Sequence, residues 1–145
     1  MKTKDYRSKF QLRVSGDSIS IQEFVETLKG NRDEYFTNID LRNVDDMEFN
    51  STTKRCVQRI DGFCDISIDY GLNGGYGLMN KYPLMTSLEL ESKTHNLDIE
   101  VYGENQVLGF EEHYFVSNGN VIYDEITDID VDNGLCGFYE WKFHI

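Results

Sequence analysis

Residues 97–125, LDIEVYGENQVLGFEEHYFVSNGNVIYDE, constrain the fold of this chain more than any other segment. Apolar and polar residues alternate along most of its length, which is typical of strands with one buried face. The sequence Ser117-Asn118-Gly119 lies between two of these runs, and Asn-Gly is a strong signal for a tight hairpin turn. The pattern predicts antiparallel strands at residues 97–102, 107–116 and 120–126, followed by another at residues 138–144.

Alternation also predicts strands in the first half of the chain, at residues 9–16, 55–60 and 63–70. Asp61-Gly62, which separates the second of these from the third, has the composition of a hairpin turn. The stretch at residues 31–53 is polar and acidic. We expect at most a short strand there, built from Tyr35, Ile39, Leu41 and Val44.

The period changes to helical spacing directly after the first predicted strand. Apolar residues recur three and four positions apart, which predicts a helix at residues 20–29. Ser20 and Glu23 have the spacing of a capping box at its start, and Gly30 suits the cap at its end. The chain therefore begins with a strand followed by an amphipathic helix.

A second helix is predicted at residues 86–95. Thr86 and Glu89 form another capping-box pair, and Asn96 is a residue type that can adopt the left-handed conformation at a helix end. The order of strands and helices predicts an α+β fold, with both helices on one face of an antiparallel sheet. The expected core residues are Phe24, Leu28, Leu88, Ile99, Val101 and Phe110.

Length and composition predict one domain over residues 1–145. The chain does not open with a charged segment followed by an apolar run, and no apolar stretch reaches membrane-spanning length. We therefore expect a cytoplasmic protein without membrane contact. Cys56, Cys64 and Cys136 are an odd number without CxxC spacing, which favours buried free thiols in a reducing compartment.

Three segments together resemble the YubB-type ferredoxin-like family of phage, plasmid and bacterial proteins. They are QLRVSGDSISIQEFVETLKG, RIDGFCDISIDYG and SLELESKTHNLDIEVYGENQVLGFEEHYFVSNGNVI, and the most specific part is GFEEHY at residues 109–114. The resemblance implies a ferredoxin-like split βαβ antiparallel sheet with two helices on one face and extra C-terminal strands. It also implies an accessory protein of a phage or other mobile element.

The negative charge is concentrated in the last third of the chain. The net charge of the whole chain is −12, and residues 98–145 alone carry eleven acidic residues against Lys142. This charge repels phosphate backbones and attracts basic partners, so we expect a basic protein partner and no direct binding of nucleic acid. The predicted partner-binding residues in this region are Glu104, Glu111, His113, Asp128, Asp130 and Asp132.

Glu111, Glu112 and His113 form the cluster that most resembles a catalytic or metal site. On a strand, Glu111 and His113 point to one face and Glu112 points to the other. We therefore expect an exposed Glu/His pair opposite a mainly aromatic face. The same pair is the basis of an alternative function, a small metal-dependent or acid/base hydrolase.

The acidic run at residues 128–132 has some features of a calcium loop. Acidic residues alternate there and are followed by Gly134 and Glu140. Both of these residues are one position out of register with a calcium loop, and no predicted helix flanks the run. We therefore predict no metal site.

Glycines are frequent at residues 71–85, in the loop that precedes the second predicted helix. The GLNGGYG sequence lacks the Lys-Ser/Thr that follows a phosphate-binding loop, so we predict no nucleotide and no other cofactor. Tyr76 and Met79 either contact a partner or fold back as a lid on the sheet, and the sequence leaves both alternatives open.

These observations favour a macromolecule-binding accessory protein without catalytic activity. One role that fits the charge is an acidic inhibitor, or a decoy of nucleic acid, that acts on a basic protein. The hydrolase that uses Glu111 and His113 is the alternative. The sequence makes no prediction of the oligomeric state.

Overall fold

The computed structural model describes residues 5–30, 39–73, 86–129 and 141–142. This part of the chain contains seven strands, two α-helices and a short π-helix, which confirms the predicted α+β class. In chain order, the elements are β1 (Ser8–Gly16), α1 (Ser18–Leu28), β2 (Asp40–Val44), β3 (Glu48–Asn50), β4 (Arg55–Cys64), the π-helix (Ile68–Leu72), α2 (Ser87–His95), β5 (Asp98–Asn105), β6 (Phe110–Ser117) and β7 (Asn120–Asp128).

All seven strands belong to one sheet, in which every pairing is antiparallel. The strand order is β2-β4-β1-β5-β6-β7, and β3 pairs with β4 at the same edge as β2. β1 lies in the interior, where Leu12 is opposite Ile60 of β4 and Val101 of β5. The apolar residues of β1 therefore have a paired strand on both sides.

Both helices pack on one face of the sheet, as predicted. The helices contact each other through His95 Nδ1 and Glu23 Oε2, which lie 3.4 Å apart. Apolar residues of the two helices and of β1, β4, β5 and β6 form one core cluster. The predicted core residues Phe24, Leu28, Leu88, Ile99 and Val101 are buried there. The prediction for Phe110 is wrong because this residue begins β6 at the end of the sheet and is only half-buried.

The helix ends follow local capping chemistry. α2 begins and ends as predicted, with Thr86 accepting from the backbone N–H of Glu89 at 3.4 Å and Asn96 in the left-handed conformation at φ 53°. α1 begins earlier than predicted because Asp17 is its N-cap. The Asp17 carboxylate accepts from the backbone N–H of Ser20 at 3.0 Å and from its hydroxyl at 2.7 Å. The predicted Ser20 cap is therefore wrong.

The predicted hairpin at Asp61-Gly62 is also wrong, because both residues lie inside the continuous strand β4. Asp61 is paired with Gln11 on one side. A Cβ atom at Gly62 would lie 2.6 Å from the carbonyl oxygen of Asp40, so glycine allows β2 to approach closely. The strand predicted at residues 63–70 therefore ends early. β4 ends at Cys64, and residues 68–72 form the π-helix.

The C-terminal strands agree with the alternation of the sequence. β6 and β7 are joined by Asn118 and Gly119, both at positive φ as a tight hairpin turn requires. Tyr35, Cys136 and most of the strand predicted at residues 138–144 lie outside the described residues. Trp141 and Lys142 are described and belong to no strand.

Cys56 and Cys64 are free thiols, as predicted, although only Cys64 is fully buried. Burial raises the pKa of the Cys64 thiol to about 12, and the nearby Glu112 adds to this effect. No helix within the described ranges is both long and apolar enough to cross a membrane.

Candidate functional site

The candidate site lies on the open face, which is the side of the sheet that points away from α1 and α2. In the strand register, Arg13 is opposite Glu100, and Tyr102 is opposite His113. Directly opposite residues of antiparallel strands point to the same side of a sheet. The register therefore brings these four side chains together across β1, β5 and β6.

Glu100 lies at the centre of this group and has no exposed surface. Arg13 Nη2 lies 3.3 Å from one carboxylate oxygen, and His113 Nε2 lies 2.6 Å from the other. The backbone N–H of Lys142 also donates to Glu100, at 3.0 Å. A buried carboxylate is costly unless it is paired and hydrogen-bonded, and these three donors provide both kinds of contact.

The same contacts act on Arg13. Burial lowers the pKa of the Arg13 guanidinium, and the adjacent Glu100 carboxylate opposes this effect. The guanidinium also lies 4.9 Å from the ring centroid of Trp141, a typical cation–π distance. Arg13 is therefore held between a carboxylate and an indole ring.

Aromatic rings form a row across β5, β6 and β7. Tyr102 stacks on His113 with ring centroids 3.9 Å apart and planes 16° apart. His113 is tilted against Tyr123 at 4.8 Å, and Trp141 lies 5.5 Å from Tyr102. The row fixes the plane of the His113 ring, while Glu100 fixes the direction of its Nε2 atom.

A pocket of about 170 Å³ opens beside this row. We call it the aromatic–carboxylate pocket, and its lining includes Tyr102, Glu111, His113, Tyr123, Glu125 and Thr127. The hydroxyl of Tyr123 donates to the carboxylate of Glu125. Aromatic faces combined with carboxylates form a surface that attracts cations.

The structure brings together some of the predicted partner-binding residues and separates others. Glu104, Glu111 and His113 lie near one another on the open face, where Glu104 is opposite Glu111. Asp128 is opposite Phe110 and therefore points to the helix-covered side of the sheet. The other predicted residues, Tyr76, Met79, Asp130 and Asp132, lie outside the described residues.

The prediction that Glu111 and His113 point to one face of the sheet and Glu112 to the other is confirmed, since Glu112 points to the helix-covered side. The prediction of an exposed Glu/His pair is wrong, because the His113 side chain is only 13% exposed. The His113 imidazole contacts the carboxylate of Glu100, which sequence reasoning did not select. The strand alternation marks Glu100 only as a residue of the polar face.

Fewer acidic residues are exposed in residues 98–145 than the sequence count suggests. Glu100, Glu104 and Glu112 are buried. Asp98 is paired with Arg55 at 2.7 Å. The exposed acidic residues in the described part of this region all lie on β7, and they are Asp124, Glu125 and Asp128.

Glu112 is another buried carboxylate that sequence reasoning did not identify as unusual. Its Oε2 atom accepts from the backbone N–H of Ile68, at the start of the π-helix, at a distance of 2.8 Å. Burial raises the pKa of Glu112 to about 7, and the charges of Asp69 and Asp124 add to the effect. Glu112 therefore titrates near neutral pH.

Within residues 5–30, 39–73, 86–129 and 141–142, no group of three or more His, Cys, Asp or Glu side chains is arranged to hold a metal ion. Comparisons with protein-family models, with curated proteins and with solved structures found no match. The resemblance to the YubB-type family stays a prediction.

Proposed function

We propose that this protein binds a basic protein partner through β7. The observation that carries the proposal is the exposure of this strand: of its nine residues, all except Tyr123 are exposed. β7 ends the described sheet and pairs there only with β6. An edge strand of this kind can pair with an extended segment of another chain.

The side chains of β7 indicate the chemistry of the partner. Ile122 and Ile126 are 55% and 58% exposed, and the acidic residues Asp124, Glu125 and Asp128 alternate with them or follow them. A partner segment that carries lysine or arginine beside apolar residues would match this strand. A second copy of β7 would bring acidic residues against acidic residues, which is unfavourable in a sheet.

We infer a ferredoxin-like split βαβ sheet formed by β2, β4, β1 and β5, which β6 and β7 extend. Its support is the strand order, together with helices that connect β1 to β2 and β4 to β5. With the resemblance to phage and plasmid proteins, this favours a cytoplasmic accessory of a mobile element that inhibits a basic protein or acts as a decoy of nucleic acid.

The experiment compares two charge variants of the full chain. One is Asp124→Asn with Asp128→Asn on β7, and its matched control is Asp46→Asn with Glu48→Gln, two exposed acidic residues at the other edge of the sheet. Each variant and the unchanged protein serve as bait in a lysate of the native host. Association rates with the captured protein are then measured at several salt concentrations.

We expect the β7 variant to associate about tenfold more slowly at low salt, with a smaller change in dissociation, because surface charge mainly steers encounter. The control variant should behave like the unchanged protein. Equal rates for both variants, or tight binding of DNA or RNA by the isolated protein, would contradict the proposal.

The contact between His113 and Glu100 favours a second candidate function. A carboxylate that orients an imidazole is a common part of acid/base sites, and Glu111 lines the adjacent pocket. A small hydrolase would use His113 as its base. This candidate requires turnover of an ester or phosphodiester substrate that His113→Gln abolishes while the protein stays folded.

A further inference from the structure

We propose that the Asn118-Gly119 bond is a site of spontaneous deamidation, and that the contact of its hairpin turn with α2 holds this reaction back. The two residues form the turn between β6 and β7, both at positive φ. The inference goes beyond the proposed function and does not depend on a partner. It concerns the same strand, because this turn sets the register of β7 against β6.

Deamidation begins at the main-chain nitrogen that follows an asparagine. The nitrogen of Gly119 attacks the side-chain carbonyl carbon Cγ of Asn118, and the new N–C bond closes a five-membered succinimide ring. The side-chain nitrogen of Asn118 takes up the proton that Gly119 loses and leaves as ammonia. Water then opens the ring at one of its two carbonyl groups, which leaves aspartate or isoaspartate at position 118. Water is the co-reactant, and no oxidation or reduction takes place.

The residue types of the turn favour this reaction. Gly119 has no Cβ atom that would hinder approach to its nitrogen. Asn118 is exposed, so water reaches the carbonyl groups of the ring. We therefore expect an unfolded chain with this sequence to deamidate readily at Asn118.

The folded protein occupies the nitrogen that has to attack. The backbone N–H of Gly119 donates to Oγ of Ser92 in α2 at 3.0 Å. Ser92 is fully buried, and its own hydroxyl proton is donated to the carbonyl oxygen of Leu97 at 2.6 Å. The Ser92 hydroxyl therefore has no second proton with which to activate the side-chain amide of Asn118. It holds the attacking nitrogen and does not assist the attack.

Packing against α2 is a second restraint, independent of this hydrogen bond. A Cβ atom at Gly119 would lie 2.8 Å from Cβ of Lys93, so the main chain of the turn lies directly against the helix. Attack requires the Gly119 nitrogen and Asn118 Cγ to meet in an aligned geometry, and this requires rotation about the bonds of Asn118. Because the turn is fixed at its N–H and at Lys93, deamidation requires local opening of the turn from α2.

Reaction at Asn118 would change the pairing of β7. Ser117 and Asn120 are directly opposite each other, so the connection between them is a tight two-residue turn. Isoaspartate routes the main chain through the former side chain and makes this connection longer. The longer connection does not fit the geometry of a two-residue hairpin. Deamidation therefore loosens the strand to which the proposed function assigns the partner.

The experiment ages the full chain at neutral pH and follows Asn118 by peptide mass spectrometry, which detects the replacement of NH2 by OH. The unchanged protein is compared with Ser92→Ala and with the unchanged chain in urea. The matched control is Ser8→Ala, which also removes a buried hydroxyl that donates to a backbone carbonyl, that of Ile66. Ser8 belongs to the start of β1, at the opposite end of the sheet from the turn. Circular dichroism checks that each variant is folded.

We expect Asn118 to deamidate more than about tenfold more slowly in the folded protein than in urea, because the turn has to open first. Ser92→Ala should accelerate the reaction about fivefold, the effect of one lost hydrogen bond. Ser8→Ala should leave the rate unchanged.

Two results would overturn the proposal. One is an equal rate in the folded and the unfolded chain, which decides the matter even if Ser92→Ala does not fold. The other is a folded Ser92→Ala variant that deamidates no faster than Ser8→Ala.

Discussion

The two faces of the sheet each bury a glutamate, and they compensate its charge in different ways. On the open face, Glu100 contacts the guanidinium of Arg13 and the imidazole of His113. On the helix-covered face, Glu112 accepts from the backbone N–H of Ile68, and its charged neighbours include the acidic residue Asp69. Burial raises the pKa of Glu112 to about 7, so a proton neutralises it near neutral pH.

Burial alone does not distinguish these two carboxyl groups. Glu100 and Glu112 have similarly small exposure, at 0% and 4%. Glu100 has basic groups within contact distance, whereas Glu112 has acidic groups around it. A cationic neighbour stabilises the ionised form, and its absence makes proton uptake the less costly solution.

The largest expected effect concerns the apolar core on the helix-covered face. Phe24 of α1 is fully buried in the core on the helix-covered face. Phe24→Ala should lower the free energy of unfolding by about 3 to 5 kcal/mol, because it removes buried surface and leaves a cavity. Urea titration measures this change. A loss below about 1 kcal/mol would show that Phe24 contributes little to the packing of the core.

The next effect tests charge compensation on the open face. Glu100→Gln should lower the free energy of unfolding by about 3 kcal/mol, because Arg13 and His113 lose their shared carboxylate. The matched control is Glu125→Gln, which changes an exposed acidic residue of the same face. The control should change stability by less than about 0.5 kcal/mol. Equal effects of the two substitutions in denaturant titration would contradict the special role of Glu100.

At high pH, Glu112→Gln should raise the free energy of unfolding, whereas Glu100→Gln should lower it. With its pKa raised from the ordinary 4.5 to about 7, the folded protein holds a proton that the unfolded chain has released. The free energy of unfolding should therefore fall as the pH rises from about 4.5 to about 7. Glu112→Gln should remove this fall and stabilise the protein by about 2 kcal/mol at pH 8.

Thermal unfolding at several pH values measures the contribution of Glu112. The control is Glu89→Gln, an acidic residue at the start of α2 that lies on the same side of the sheet. It should leave the slope between pH 5 and pH 8 unchanged. A Glu112→Gln variant that shows the same slope as the unchanged protein would rule out Glu112 as its source.

The smallest expected effect concerns calcium. Millimolar calcium should raise the melting temperature by less than about 1 °C, since weak binding gives little stabilisation. A larger shift that Glu112→Gln abolishes would show that Glu112 and its acidic neighbours hold an ion instead of a proton. A larger shift that Asp130→Asn abolishes would reveal a site in the acidic run at residues 128–132.

Much of the fold could be predicted because its signals are local. The Thr86 cap and the left-handed Asn96 define α2, and the Asn118-Gly119 turn defines the β6–β7 hairpin. The prediction failed at Asp61-Gly62, where the residue types of a turn lie inside β4. There the close approach of Asp40 to Gly62 decides the conformation, and this contact comes from another strand.

The candidate site was much less predictable than the fold. Glu104, Glu111 and His113 were selected from the sequence because of their charge and spacing, and they do lie on one face. Glu100, which contacts His113, was not selected. Its contacts with Arg13 and His113 depend on the pairing of β5 with β1 and β6, which the sequence pattern did not specify.

The sequence by itself determined the strands and helices whose caps, turns and alternation depend on residues close to each other in the chain. Only the tertiary structure decided which acidic residues are exposed, which are paired and which take up a proton. Arg13 is 87 residues from Glu100, and Ile68 is 44 residues from Glu112. The charge of a buried group depends on such distant neighbours, because solvation and Coulomb energy follow distance in space instead of distance along the chain.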